Sequence, residues 1–262
     1  MTAIAEIGYG DLPALQIIAP DGARAIVTLY GAHLVSWTGA DGAERLFCSA
    51  RSALDGSRAI RGGVPVIFPQ FAERGNGMRH GFARLSTWRP APADGGGAVF
   101  VLTQDDLAPA VAQAWPHGFE LRLTIALEAN DLQIVLDVRN TGSDAWAFSS
   151  ALHTYFLVDD IASVRINGVE NTPLSIDDKL DRIYRDVQGA ITLAHGAGSL
   201  ALTQEGFTDA VVWNPGAADT AALADMEDDE YQRFVCIEPA LIEPMTLMPG
   251  AAWRGAHQVS GG

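Results

Sequence analysis

Two cysteines in 262 residues, Cys48 and Cys236, are too few and too far apart to make a disulfide framework or a thiolate metal site. They could pair with each other, but so small a number in a chain of this size fits a reducing compartment better. Basic charge is also scarce, with 17 Lys and Arg against 32 Asp and Glu and a net charge of −15. A surface of that sign repels nucleic acid and anionic lipid, so neither is an expected partner, and the acidity itself reads as solubility. No apolar run reaches the length of a membrane-spanning helix. Met1 to Pro13 lacks the basic start and continuous apolar stretch of a leader, so the expectation is a soluble, cytoplasmic protein, and a monomer. The six histidines (His33, His80, His117, His153, His195 and His257) never fall at metal-ligand spacings. Gly62-Gly63 is not followed by the Lys-Ser/Thr of a phosphate loop, and no serine sits in a nucleophile elbow. Neither a metal nor a cofactor is expected.

Long segments of helical period are missing too, and what is present alternates. Leu121, Leu123, Ile125 and Leu127 alternate with Arg122, Thr124, Ala126 and Glu128. After the turn at Asn130-Asp131, Leu132, Ile134, Leu136 and Val138 continue the pattern, a hairpin with one face inward. Shorter runs recur at 15–18, 25–29, 34–38, 99–103, 164–167, 211–213 and 234–238, separated by turn signals such as Asp21-Gly22, Asp41-Gly42 and Pro249-Gly250. With 48% hydrophobic residues the chain can bury a sizeable core. Many short strands predict an all-β antiparallel β-sandwich or barrel, residues 1–262 forming one domain. The spacing allows a short helix over 105–114 and assigns 91–97 and the acidic 217–230 to loops.

Against that background a few polar residues stand inside apolar runs. Ile60-Arg61-Gly62-Gly63-Val64-Pro65-Val66-Ile67-Phe68-Pro69-Gln70-Phe71, with His80-Gly81-Phe82-Ala83-Arg84, packs two arginines and a histidine among core-like residues. In an extended segment His153 shares a face with Ala151 and Tyr155. It is either a structural histidine or a general acid, since its ordinary pKa of ~6.5 allows proton exchange near neutrality. Glu238 ends the buried-strand sequence Phe234-Val235-Cys236-Ile237. It marks either the exposed end of that strand or a buried carboxylate whose raised pKa suits a base. Glu243, also followed by proline, is a competing carboxylate in loop-like surroundings. Arg61 and Arg84 stand beside glycines or small residues that let the backbone approach a ligand, and the planar guanidinium suits phosphate or carboxylate. Either arginine could instead be a salt-bridge partner in this acid-rich chain.

Taken in order, six segments resemble the aldose 1-epimerase superfamily, in particular its hexose-6-phosphate mutarotase branch. They are Ile60 to Pro65, Phe68 to Phe71, His80 to Arg84 with Trp88, His153 to Phe156, Val211 to Pro215, and Cys236 to Pro239. The resemblance spans about residues 20 to 258. It implies a large galactose-mutarotase-like β-sandwich (a supersandwich) with a substrate cleft on one face. It also implies His153 as catalytic acid and Glu238 as catalytic base, Arg61 and Arg84 on a 6-phosphate, and His80 and Asp181 lining the sugar site. One departure is Gly216, where the resemblance leads one to expect a tryptophan after Asn214-Pro215, thinning one wall of the pocket. The implied activity interconverts the α and β anomers of a hexose 6-phosphate, glucose 6-phosphate first among them, by ring opening and reclosure. The alternatives are an aldose 1-epimerase acting on non-phosphorylated sugars and a non-catalytic sugar-phosphate-binding module.

Overall fold

The structure is a computed structural model that describes residues 2–93, 95–196 and 198–261. It is nearly all β, with antiparallel strand pairing throughout the named strands, in agreement with the alternation in the sequence. An eight-stranded sheet runs in the order Arg165–Asn167, Ile191–His195, Gly198–Glu205, Ala252–Gly261, Asp131–Asn140, Phe119–Glu128, Gly97–Thr103 and Arg89–Ala91. The expected hairpin lies at its centre, and Leu121, Leu123, Ile125, Leu132, Ile134, Leu136 and Val138 are all buried in the main core. A six-stranded sheet contains, in order, Leu180–Tyr184, Asp209–Asn214, Phe234–Leu247, Trp146–Leu152 and Val66–Ile67, with Tyr155–Leu157 also paired to Phe234–Leu247. A four-stranded meander, Ala3–Tyr9, Leu12–Ile18, Arg24–Thr28 and His33–Thr38, completes the architecture.

The six-stranded sheet positions the polar residues. Phe234 to Ile242 is buried at every position, so this strand is covered on both faces. Successive side chains alternate between two environments. Val235, Ile237 and Leu241 enter the main core, whereas Phe234, Cys236, Ala240 and Ile242 join smaller clusters on the opposite face. Glu238 shares the period of that second group. Its burial follows from sheet position, and the reading of Glu238 as an exposed strand end is excluded.

Three expectations are corrected. Residues 105–114 are not one helix. A 3₁₀ turn, Gln104–Asp106, is followed by the helix Pro109–Ala114, because Pro109 drives Ala108 into an extended conformation (ψ 141°) that interrupts the spiral. The acidic loop 217–230 is partly helical. Gly216–Ala221 forms a turn-and-a-half of helix in which Thr220 Oγ1 donates to the Gly216 carbonyl, and Glu230 opens the 3₁₀ turn Glu230–Arg233. Glu243 lies within the Phe234–Leu247 strand, not in a loop, although it is exposed and ion-paired with Arg185 at 2.8 Å. The Ala3–Tyr9 strand was not anticipated, since its largely exposed residues carry no alternation to read.

Candidate active site

Strand register assembles the catalytic candidates. Ala151 pairs with Ala240 and Tyr155 pairs with Cys236, so the intervening His153 faces Glu238 across the junction of two strands. His153 Nε2 lies 3.3 Å from Glu238 Oε1, with the imidazole 12% and the carboxylate 1% exposed. On the other side of Glu238 the register brings Val211, and one strand further Asp181 opposite Trp213. These residues line a cleft of about 670 Å³ together with His80. His153, Glu238, Arg61, Arg84, His80 and Asp181, all singled out from the sequence, meet in this one cavity.

Burial dominates the electrostatics of the pair. It pushes the Glu238 carboxyl well above the ordinary carboxylate range, with the charge of Asp181 adding to the shift. It pulls His153 well below its usual value, and His80, Arg84 and Arg61 reinforce that direction. Both groups are thus pressed towards their neutral forms, in which the pair holds one proton. His80 is driven to about 3 by burial and then by Arg84, Arg79 and Arg61. Its Nδ1 accepts the Ala72 amide at 3.2 Å, which assigns the proton to Nε2 and makes His80 a neutral donor.

The raised carboxyl pKa has a consequence for stability. Between the ordinary glutamate value and the raised one, the unfolded chain is ionised while the folded chain keeps its proton, so stability falls as pH rises. Glu238→Gln removes that penalty. The variant is expected to melt above the parent, by a margin that is wider near pH 8 than near pH 5 in calorimetric scans. A margin that does not widen with pH would show that Glu238 is ionised in the native state.

Five basic side chains gather at the cleft. Arg58, Arg61, Arg79, Arg84 and Lys179 line the cleft against Asp181, Asp219, Asp225 and Glu238. Lys179 and Asp219 neutralise each other at 2.6 Å. The two arginines singled out from the sequence differ. Arg61 is the salt-bridge partner that the sequence left open, with Nη2 3.2 Å and Nε 3.3 Å from Asp225 Oδ2 and Nη1 donating to the Tyr155 hydroxyl at 3.1 Å. Arg84 makes no ion pair among the described residues. Its Nη2 donates to the Arg79 carbonyl at 3.1 Å, while its buried Nε has no partner. A partly buried cation beside Arg61 and Arg79, with no carboxylate partner among the described residues, has the charge and free donors to receive an anion.

The glycines of Gly62-Gly63 act differently from the expectation. With φ of 120° and 57° they occupy the left-handed region, but the backbone they approach is the protein's own. A side chain at Gly62 would overlap the Phe47 carbonyl and one at Gly63 the Leu34 carbonyl, while His33 Nε2 donates to the Gly62 carbonyl at 2.7 Å. These glycines fix the loop that presents Arg61. Gly216 is buried at the start of its helix, with φ 66° and its amide donated to Asn214 Oδ1, and it does not line the cleft. Trp213 and Pro215 form that wall.

Three further cleft residues were not singled out from the sequence. Tyr155 stacks on His153 with ring centroids 4.9 Å apart and planes at 15°. Trp213 meets His153 edge-on at 5.7 Å. The signal for Tyr155 was its period-two relation to His153, whereas nothing in an acidic loop marks Asp225 as a partner of Arg61. Donor atoms of His153, Cys236 and Glu238 lie within 4.8 Å of one another, a trio assembled across strands and therefore invisible to sequence spacing. Burial pushes the Cys236 thiol well up. Both cysteines are free thiols.

An antiparallel supersandwich with a buried histidine–carboxylate pair at the floor of a basic cleft defines a class of protein suited to proton transfer on a small anionic ligand. The chain belongs to the aldose 1-epimerase family, whose model matches residues 13–179 and 169–260. Among its relatives is the "Putative glucose-6-phosphate 1-epimerase" of Cenchrus ciliaris, 36% identical over 94% of this chain and 84% of that protein. The protein of the same name from Escherichia coli K12 is 34% identical over 83% of this chain and 79% of its own length. The crystal structure of "a putative mutarotase (YeaD)" from Salmonella typhimurium superposes with a TM-score of 0.86 at 26% identity, covering 98% of this chain and 93% of that one. A galactose mutarotase-like protein from Clostridium acetobutylicum shares the fold at a TM-score of 0.76 and 18% identity, covering 100% of this chain and 98% of its own.

Proposed function

We propose that this enzyme, an isomerase, interconverts the α and β anomers of a hexose 6-phosphate, glucose 6-phosphate first among them, with His153 and Glu238 as the acid–base pair. The observation that carries the reading is the placement of Arg84, a partly buried guanidinium without a carboxylate, in the same cleft as the facing pair.

The pair supplies the chemistry in one balanced exchange. In the reactive form the shared proton sits on His153 and Glu238 is ionised. Glu238 takes the proton of the anomeric hydroxyl, the O1 lone pair forms the C1 carbonyl, and the C1–ring-oxygen bond breaks. The electron pair left on the ring oxygen takes the proton from His153 Nε2. The pair ends as neutral His153 and protonated Glu238, the form that burial favours, still holding one proton. Rotation about C1–C2 turns the other carbonyl face to the C5 hydroxyl, and closure reverses both transfers. Arg84 and Arg61 hold the phosphate at a distance from C1, which leaves the anomeric end free to turn. His80 donates to the sugar, Asp181 accepts from its hydroxyls and Trp213 covers a ring face.

No helix among the described residues is long and apolar enough to cross a membrane. The cleft is built from one chain, so a monomer suffices, and free thiols with a phosphorylated substrate fit the cytoplasm. Exchange between the anomers of glucose 6-phosphate carrying ¹⁸O at C1 tests the mechanism. The expected result is accelerated exchange with the label retained, because O1 never leaves carbon. Loss of label at the rate of exchange would replace ring opening by displacement at C1.

A further inference from the structure

The orientation of His153 has an unusual source. A catalytic imidazole is ordinarily fixed by a hydrogen bond to its second nitrogen. Here the buried Nδ1 of His153 has no partner among the described residues. Aromatic rings hold the imidazole instead, with Tyr155 stacked beneath it and Trp213 and His80 at its edges, each at 5.7 Å. Tyr155 is itself 2% exposed, and its hydroxyl accepts a hydrogen bond from Arg61 Nη1. The remaining donors of Arg61 that reach a partner are on Asp225. The guanidinium that faces the proposed phosphate is therefore one hydrogen bond and one ring stack away from the group that protonates the sugar.

We propose that Tyr155 is a positioning residue that couples the phosphate site to His153, so that the substrate's phosphate accelerates the anomeric step as well as anchoring the sugar. This rests on the mutarotase reading above. A dianion arriving at Arg61 and Arg84 competes with Asp225 and Tyr155 for the donors of Arg61. Redirecting that guanidinium changes the restraint on the tyrosine hydroxyl, and the ring carries the change to the imidazole stacked on it. Electrostatics act in the same direction. Arg84 and Arg61 both oppose protonation of His153, so neutralising them with phosphate raises the share of the pair in which His153 carries the acidic proton. Binding energy at a remote group is thereby used at the reacting centre.

A substrate cut in two parts tests this. D-xylose offers the pyranose ring without the C6 phosphate, and phosphite dianion supplies the missing anion. For the wild-type enzyme, phosphite is expected to raise the anomer-exchange rate constant of xylose about tenfold or more. Tyr155→Phe is expected to abolish that activation and to lower kcat for glucose 6-phosphate about tenfold, with KM within about threefold of wild type. If wild type turns over glucose 6-phosphate but its action on xylose ignores phosphite, the coupling is wrong and the phosphate only anchors. Activation by phosphite that survives in Tyr155→Phe would reduce Tyr155 to packing. Failure of wild type on glucose 6-phosphate itself would overturn the underlying reading, and the coupling with it.

Discussion

Replacing His153 with alanine lowers kcat for the interconversion of glucose 6-phosphate anomers by roughly 10²–10⁴-fold and leaves KM within about threefold. The expectation follows from the position of the imidazole in the cleft, 3.3 Å from Glu238, while the arginines proposed to meet the phosphate are separate lining residues. Removing the acid leaves the ring oxygen without a proton at the moment its bond to C1 breaks, and the ground-state contacts persist. Glu238→Gln has an effect of the same order for the opposite reason, because the anomeric hydroxyl then keeps its proton. The two losses combine less than additively, since the groups act as a unit on one shared proton.

The pH profile of the wild type follows from the same pair. On the proposed mechanism, activity requires one proton shared by His153 and Glu238. It falls in acid when the pair takes up a second proton, and in alkali when the pair loses its only one. The lowered histidine places the acid limb below ~6.5, and the raised carboxyl moves the alkaline limb above the ordinary glutamate range of ~4.3. The expected kcat profile is a plateau between those two limbs. Glu238→Gln should remove one limb from the residual rate, and a profile unchanged in shape would show that other groups titrate.

The second large effect concerns the phosphate. Arg84→Met is expected to lower kcat/KM for glucose 6-phosphate by about two to three orders of magnitude, the range for truncating a buried charge-assisted contact. The low activity on free glucose should stay where it was. Methionine keeps most of the apolar bulk, and among the described residues the parent guanidinium has one protein hydrogen bond to lose, to the Arg79 carbonyl. The melting temperature should change little. If both sugars lost activity equally, Arg84 would be supporting the cleft wall and the anion would bind elsewhere, with Arg58, Arg61 and Arg79 as the remaining lining arginines.

Much of the fold was legible because period-two alternation is written plainly in 119–140, the centre of the larger sheet. The polar residues embedded in apolar runs marked the cleft for the same reason. A charged side chain in a strand covered on both faces, as Glu238 is, needs a function or a partner. What the sequence could not show depends on pairings between distant strands. The register that sets His153 against Glu238, 85 positions apart, comes from the pairs 151–240 and 155–236. The partnership of Arg61 with Asp225 joins a glycine-rich loop to an acidic segment whose composition reads as solvent-facing. The role of Gly62-Gly63 is not written in the sequence, because left-handed glycines serve a ligand and a neighbouring backbone equally well. Only the positions of Phe47 and Leu34 decide between them.

The central claim is that phosphate directs a proton-transfer pair to the anomeric carbon of a hexose 6-phosphate. Magnetisation exchange between the α and β C1 signals, at trace enzyme, measures it directly for glucose 6-phosphate and for glucose side by side. The account predicts exchange far above the spontaneous rate for the phosphate ester and a kcat/KM at least about a hundredfold lower for the free sugar. Equal acceleration of both sugars, or of neither, would contradict it.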